Sequence, residues 1–180
     1  FHKTMFLPII AFTITNFYNN PKTFLKGWLV CIPLSLALGT VWVALFANLG
    51  FGGDDRLAGY LTTQAEKGTF AYSGFRWDFL FHSTFAVFAG WYVIYKKKYQ
   101  DKFYFQILNT YLICNGFWIL VINANYSNRF AYLSWFMMAL VIIYPFLKKQ
   151  LVPKQNKILA FVILIYYAFT FLMNAILTKY

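Results

Sequence analysis

Five long apolar runs, each parted from the next by a polar or basic connection, leave few folds open to this chain. They are Trp28–Leu49, Asp78–Tyr95, Phe103–Ile122, Phe130–Leu147 and Ile158–Leu177. A helix needs about 20 mostly apolar residues to cross the ~30 Å hydrocarbon layer. No water reaches that layer, so backbone N–H and C=O groups must bond within the segment, which a helix achieves. The composition agrees. The 180 residues are 61% hydrophobic and 12% charged, where a soluble domain carries about 25% charged residues. The expected fold is all-α: a polytopic transmembrane helix bundle of five full spans plus a partial N-terminal one. That partial run, Met5–Phe17, is only 13 residues long.

The charges give the bundle a direction. Ten Lys residues fall in the connections at 18–27, 96–102 and 148–157, whereas the alternate side holds Arg56, Lys67, Arg76, Arg129 and Lys179. Short basic loops face the cytoplasm. The connections at 50–77 and 123–130 are therefore expected to face out, together with Asp54, Asp55, Glu66 and Asp78. The net charge of +11 is accounted for by these topology signals, and no nucleic-acid motif accompanies them, so no nucleic-acid partner is expected. Cys31 and Cys114 sit inside apolar runs and read as small buried hydrophobes. His2 and His82 are the only histidines, and no Cys/His cluster has metal-ligand spacing. No metal and no cofactor is expected. The chain opens at Phe1 within an apolar stretch, and residues 1–180 are expected to form a single transmembrane domain, the C-terminal part of a longer polytopic protein.

Two stretches concentrate polar chemistry against hydrocarbon on the outward side. The first is the 50–77 connection. Here Asp54 or Asp55 can cap a short helix carrying Leu57, Tyr60, Leu61 and Ala65 at helical spacing. That connection runs on through Gly74-Phe-Arg-Trp-Asp78. The second is Asn123-Ala-Asn-Tyr-Ser-Asn-Arg129, which ends in one arginine at the mouth of a span. A planar guanidinium grips phosphate through two parallel bonds, so Arg56, Arg76 and Arg129 are candidates for a phosphate or diphosphate site. Equally, they could pair with Asp54, Asp55 and Asp78 to shape the loops, or Arg129 could snorkel into headgroups.

Asp78 and His82 are four residues apart and share a helix face. A carboxylate that orients an imidazole makes a general base, so Asp78, His82 and Asp54 are the catalytic candidates. A satisfied interfacial pair is the plainer account. Aromatic and amide side chains around the arginines, namely Trp77, Tyr60, Tyr132 and Asn125, suit sugar rings with apolar faces and many hydroxyls. They suit an ordinary aromatic belt as well. Within the spans, Asn109, Asn115 and Asn174 are expected to bond across helices, and Pro33 with Gly39 to mark a kink or close packing.

Several of these segments resemble a known family. Asp55-Arg56-Leu57-Ala-Gly-Tyr60, Gly74-Phe-Arg-Trp-Asp-Phe79, Asn123 through Arg129-Phe-Ala-Tyr-Leu-Ser-Trp135, and Ile143-Tyr-Pro145 before a basic loop look like the C-terminal half of EpsG-like proteins. The likeness covers about Asp54 to Leu147. Members are multispanning bacterial proteins of exopolysaccharide, capsule or O-antigen clusters, thought to act as Wzy-type polymerases. The resemblance implies a bacterial inner-membrane glycosyltransferase that joins undecaprenyl-diphosphate-linked oligosaccharide repeat units at the periplasmic face. It implies an outer-face role for Arg56, Arg76, Asp78 and Arg129. The implied partners are the lipid-linked oligosaccharide, membrane lipid and other polysaccharide-assembly proteins. The alternative is a non-enzymatic membrane component, either part of a lipid-linked glycan transporter or a helical scaffold subunit.

Overall fold

The computed structural model describes residues 5–48, 74–124 and 127–177, and every described element is helical. Helix α1 spans Phe6–Phe17 and α2 spans Pro21–Asn48. Helix α3 runs over Trp77–Trp91 and continues into a π turn at Tyr92–Lys96. Helix α4 is Lys102–Leu120, α5 is Asn128–Trp135, α6 is Met138–Lys148 and α7 is Gln155–Leu177.

The helix starts follow from local chemistry. Pro21 opens α2, where its missing N–H is no loss, and the Asn20 carboxamide accepts from the Lys22 N–H at 3.0 Å. Asp101 caps α4 by accepting from the Tyr104 N–H at 2.8 Å, which satisfies one of the four unpaired donors of that end. The kink expected from Pro33 and Gly39 lies at Leu38, whose φ of −132° and ψ of 27° break the α2 helix. Gly39 packs directly against the Asn123 carboxamide, and a Cβ there would collide with it. The run expected as one span over Phe130–Leu147 is two helices, α5 and α6, parted at Phe136–Met137.

Among the described residues three segments are long and apolar enough to cross a membrane: Pro21–Phe46, Asn128–Lys148 and Gln155–Leu172. Helix α4, expected as a further span, falls short of that composition because it carries Gln106, Asn109, Thr110 and Asn115. Its place in the bundle explains them. Helix α4 is the central element, in contact with α1, α2, α3, α5 and α6, and Tyr104, Leu108, Tyr111, Cys114 and Trp118 on it are fully buried. Its polar side chains meet partners on neighbouring helices instead of hydrocarbon.

Those partners are specific. Thr110 bonds Thr15 at 3.1 Å and Asn109 donates to the Asn19 carboxamide oxygen at 2.7 Å. The Gln106 amide donates to the Phe12 carbonyl at 3.4 Å. Short helix α1 is thereby stitched onto α4. The outer surfaces of α1, α2 and α7 are lined with exposed Ile, Leu, Val and Phe, as a lipid-facing surface requires.

Candidate functional site

Helices α3 and α5 begin at the same end of the bundle, and their first turns carry the polar groups picked out above. Arg76 precedes α3 by one residue and forks onto Asp78, with Nε to Oδ1 at 2.9 Å and Nη2 to Oδ2 at 2.6 Å. Two parallel charge-assisted bonds are the strongest geometry open to this pair. The same guanidinium lies over the Phe79 ring, its Cζ 3.7 Å from the centroid, so a cation–π contact adds to the ion pair. Phe79 in turn meets the Trp135 indole edge to face at 5.1 Å.

Trp135, the last residue of α5, is where the site residues converge. Tyr132 packs on it at 5.6 Å and the His82 imidazole at 4.7 Å. Its indole N–H donates to the Ser83 hydroxyl at 2.9 Å. The Asn115 carboxamide also reaches Ser83, donating to Ser83 Oγ and Ser134 Oγ at 3.0 Å each and accepting from the Trp28 indole at 2.8 Å. The Tyr111 hydroxyl donates to the Ser83 carbonyl at 2.8 Å. One buried network therefore ties α2, α3, α4 and α5 together directly beneath the Arg76–Asp78 pair. Each carboxamide proton of Asn115 has an acceptor, which is the condition for a buried polar group to stabilise a core.

His82 and Tyr132 pack directly on Trp135, and the Arg76–Asp78 pair reaches it through Phe79. Arg129 stands exposed in the first turn of α5, three residues from Tyr132 and so on a neighbouring part of the same face. Trp77 is exposed and packs on Phe75 at 4.5 Å. Asp54, Arg56, Tyr60 and Asn125 lie outside the described residues, as do the expected short helix after Asp54 and the side chain of Asn174.

Asp78 and His82 share α3 but do not form the expected dyad. The Asp78 carboxylate is taken by Arg76, and neither nitrogen of His82 has a hydrogen-bond partner among the described residues. A guanidinium two residues away offers Asp78 two bonds at once, whereas an imidazole one turn deeper offers a single bond. Among the described residues no group of three His, Cys, Asp or Glu side chains could hold a metal ion. Reasoning from the sequence missed Ser83 and Ser134 because a lone hydroxyl in an apolar run has no signature. Trp135 ended a quoted motif, but nothing in its spacing showed that the site packs around it.

The arrangement combines an anion-gripping fork with a carboxylate and exposed aromatic faces at one end of an apolar bundle. A family model described as the EpsG family matches residues 1–180, wider than the Asp54–Leu147 segment that carries the motifs. No curated protein and no solved structure matches the chain.

Proposed function

The chain belongs to the EpsG family, and on that premise we propose that it is a membrane polymerase of polysaccharide biosynthesis. It joins undecaprenyl-diphosphate-linked oligosaccharide repeat units at the outer face of the bacterial inner membrane. In this reading residues 1–180 form one multi-pass transmembrane domain. Helices α3 and α4 complete a set of five spans beside α2, the α5–α6 pair and α7, with α1 a partial one. The connections at 50–77 and 123–130 face out. The products are exopolysaccharide, capsule or O-antigen. The partners are the lipid-linked oligosaccharide, surrounding lipid and other assembly proteins.

The observation that carries the reading is the Arg76–Asp78 fork seated over Phe79, which packs on Trp135 as Tyr132 does. A hydroxyl of one repeat unit attacks the anomeric carbon of the sugar that bears the lipid diphosphate. The new glycosidic C–O bond forms as the C–O bond to the diphosphate breaks, and the electron pair leaves with the diphosphate. Arginines held at that charge stabilise it as it develops. Arg76, Arg129 and Arg56 take this role. A diphosphate competing for the Arg76 fork frees the Asp78 carboxylate, which accepts the hydroxyl proton. His82 and Asp54 are the other candidate bases. Trp77, Tyr60, Tyr132 and Asn125 offer ring faces and an amide to the glycan. No cofactor enters the reaction.

The test is polymer length on gels from a deletion strain complemented with variants at matched protein level. Asp78→Asn keeps the shape and removes the base, and should abolish polymer. Arg129→Lys keeps the charge and removes the fork, and should resemble Arg129→Ala more than wild type. Full-length polymer from both Asp78→Asn and Arg129→Lys would leave the helical-scaffold reading, in which these groups only shape the interface.

A further inference from the structure

Helix α7 is held to the bundle in an uneven way. At its start, the Gln155 carboxamide accepts from the Leu151 N–H and donates to the Phe146 carbonyl, both at 2.7 Å. Beyond that anchor, none of its Gln155–Leu172 stretch is buried. Its aromatic contact with α3 is made by Tyr166 and Phe169, which stack on the His82 imidazole at 5.5 and 5.8 Å, both rings tilted 17° from it. Phe169 also meets Phe81 and Phe85 at 5.9 and 5.6 Å.

Under this clasp lies a polar group without a partner. His82 is 5% exposed, and both ring nitrogens lack a hydrogen bond among the described residues. Leaving one buried donor or acceptor unpaired costs about 1–3 kcal/mol, so a buried imidazole in this position calls for an explanation. His82 sits one helical turn, about 5.4 Å, below Asp78 and its Arg76 fork. A seam therefore descends from the Arg76–Asp78 pair, past the His82 imidazole, between aromatic side chains, and faces the lipid along α7.

We infer that the seam between α3 and α7 is the binding slot for a polyprenyl diphosphate. The isoprenoid chain lies between Phe81, Phe85 and Phe169, and a His82 N–H donates to the diphosphate from below as α7 swings about its Gln155 anchor. A soluble sugar phosphate would have no use for an apolar seam open to lipid, and a hydrocarbon alone would leave the imidazole unpaired. The inference rests on the reading that the Arg76–Asp78 end handles lipid-linked substrates, and it adds the path by which they reach it.

The experiment uses the full chain in phosphatidylglycerol-containing vesicles and a photoreactive polyprenyl diphosphate. In the wild-type protein, label should map to Trp77–Trp91 and Gln155–Leu177. Label confined to α1 and α2 overturns the slot. Phe81→Cys with Phe169→Cys places two thiols across the seam. Oxidation should reduce labelling at least tenfold and reductant should restore it, while each single variant is unaffected by oxidant. His82→Phe keeps the packing and removes the nitrogens, so labelling should fall several-fold while the oxidised cross-link between positions 81 and 169 forms as before.

Unchanged labelling in the oxidised pair or in His82→Phe overturns the proposal. So does competition by excess phosphatidylglycerol that equals competition by unlabelled polyprenyl diphosphate. The two readings fail separately. If the locked form still makes polymer in the complemented strain, the slot is wrong and the polymerase reading stands. If the slot labels and locks as stated but polymer never depends on the protein, the polymerase reading falls.

Discussion

Arg76 has two neighbours that a lysine could not serve at once. Its fork holds both oxygens of Asp78, and its face covers Phe79. An ammonium keeps one point of charge and loses both the second bond and the planar stack. Losing one charge-assisted bond to the leaving diphosphate in a half-buried site costs about 1.5–3 kcal/mol, roughly ten- to a hundred-fold in rate at 1.36 kcal/mol per decade. Arg76→Lys should therefore lower polymer yield at least tenfold at unchanged protein level, measured by quantifying polymer per cell. A yield within twofold of wild type would make the pair an ornament of the helix start. The sequence offered pairing with the acidic residues only as an equal alternative to a phosphate site and also set Asp78 beside His82; the fork shows that Arg76 holds it. The aromatic floor beneath it was half readable: Phe79 is three residues from Arg76, but Trp135 comes from another helix.

At the scale of elements, the bundle depends on where α4 sends its polar side chains. Asn115 answers Trp28 on α2, Ser83 on α3 and Ser134 on α5. Interhelical hydrogen bonds in membranes average about 0.6 kcal/mol each, so Asn115→Leu, which breaks three, should cost roughly 2 kcal/mol. A lowered midpoint for unfolding in mixed detergent would show it, and an unchanged midpoint would mean the network is incidental.

The α2 kink offers a second and sharper test. Gly39 leaves no room for a Cβ beside the Asn123 carboxamide, so Gly39→Ala should destabilise the protein. Asn123→Ala should relieve that clash, making the double variant more stable than the sum of the two single effects predicts. Strict additivity would remove the contact from the account of the kink. Sequence alone marked Pro33 with Gly39 as a kink or a point of close packing. It did not show what packs there, because Asn123 lies 84 residues further along the chain.

For the whole molecule, the asymmetry of basic residues sets the expected orientation. Single cysteines at Asn128 and at Lys149 lie at opposite ends of the α5–α6 segment. In intact spheroplasts an impermeant thiol reagent should label the first and spare the second, with both labelled after lysis. Native Cys31 and Cys114 are half-buried and buried respectively and provide the background control. Labelling at Lys149 before lysis would turn the bundle over and put Arg76 and Asp78 on the cytoplasmic side.

What the chain decides locally could be read without a structure. The apolar runs require helices, because hydrocarbon offers the backbone no other partner. Asn20 and Asp101 start helices through bonds spanning two or three residues, and the Arg76–Asp78 pair is as short in range. Packing decided the rest. Helix α4 became the centre although it carries Gln106, Asn109, Thr110 and Asn115, because polar groups on α1, α2, α3 and α5 meet it across 19 to 95 residues of chain. The same packing left His82 facing aromatic rings instead of Asp78. A one-dimensional pattern shows which helix face a residue occupies, but the neighbour opposite that face is chosen only when all the helices pack together.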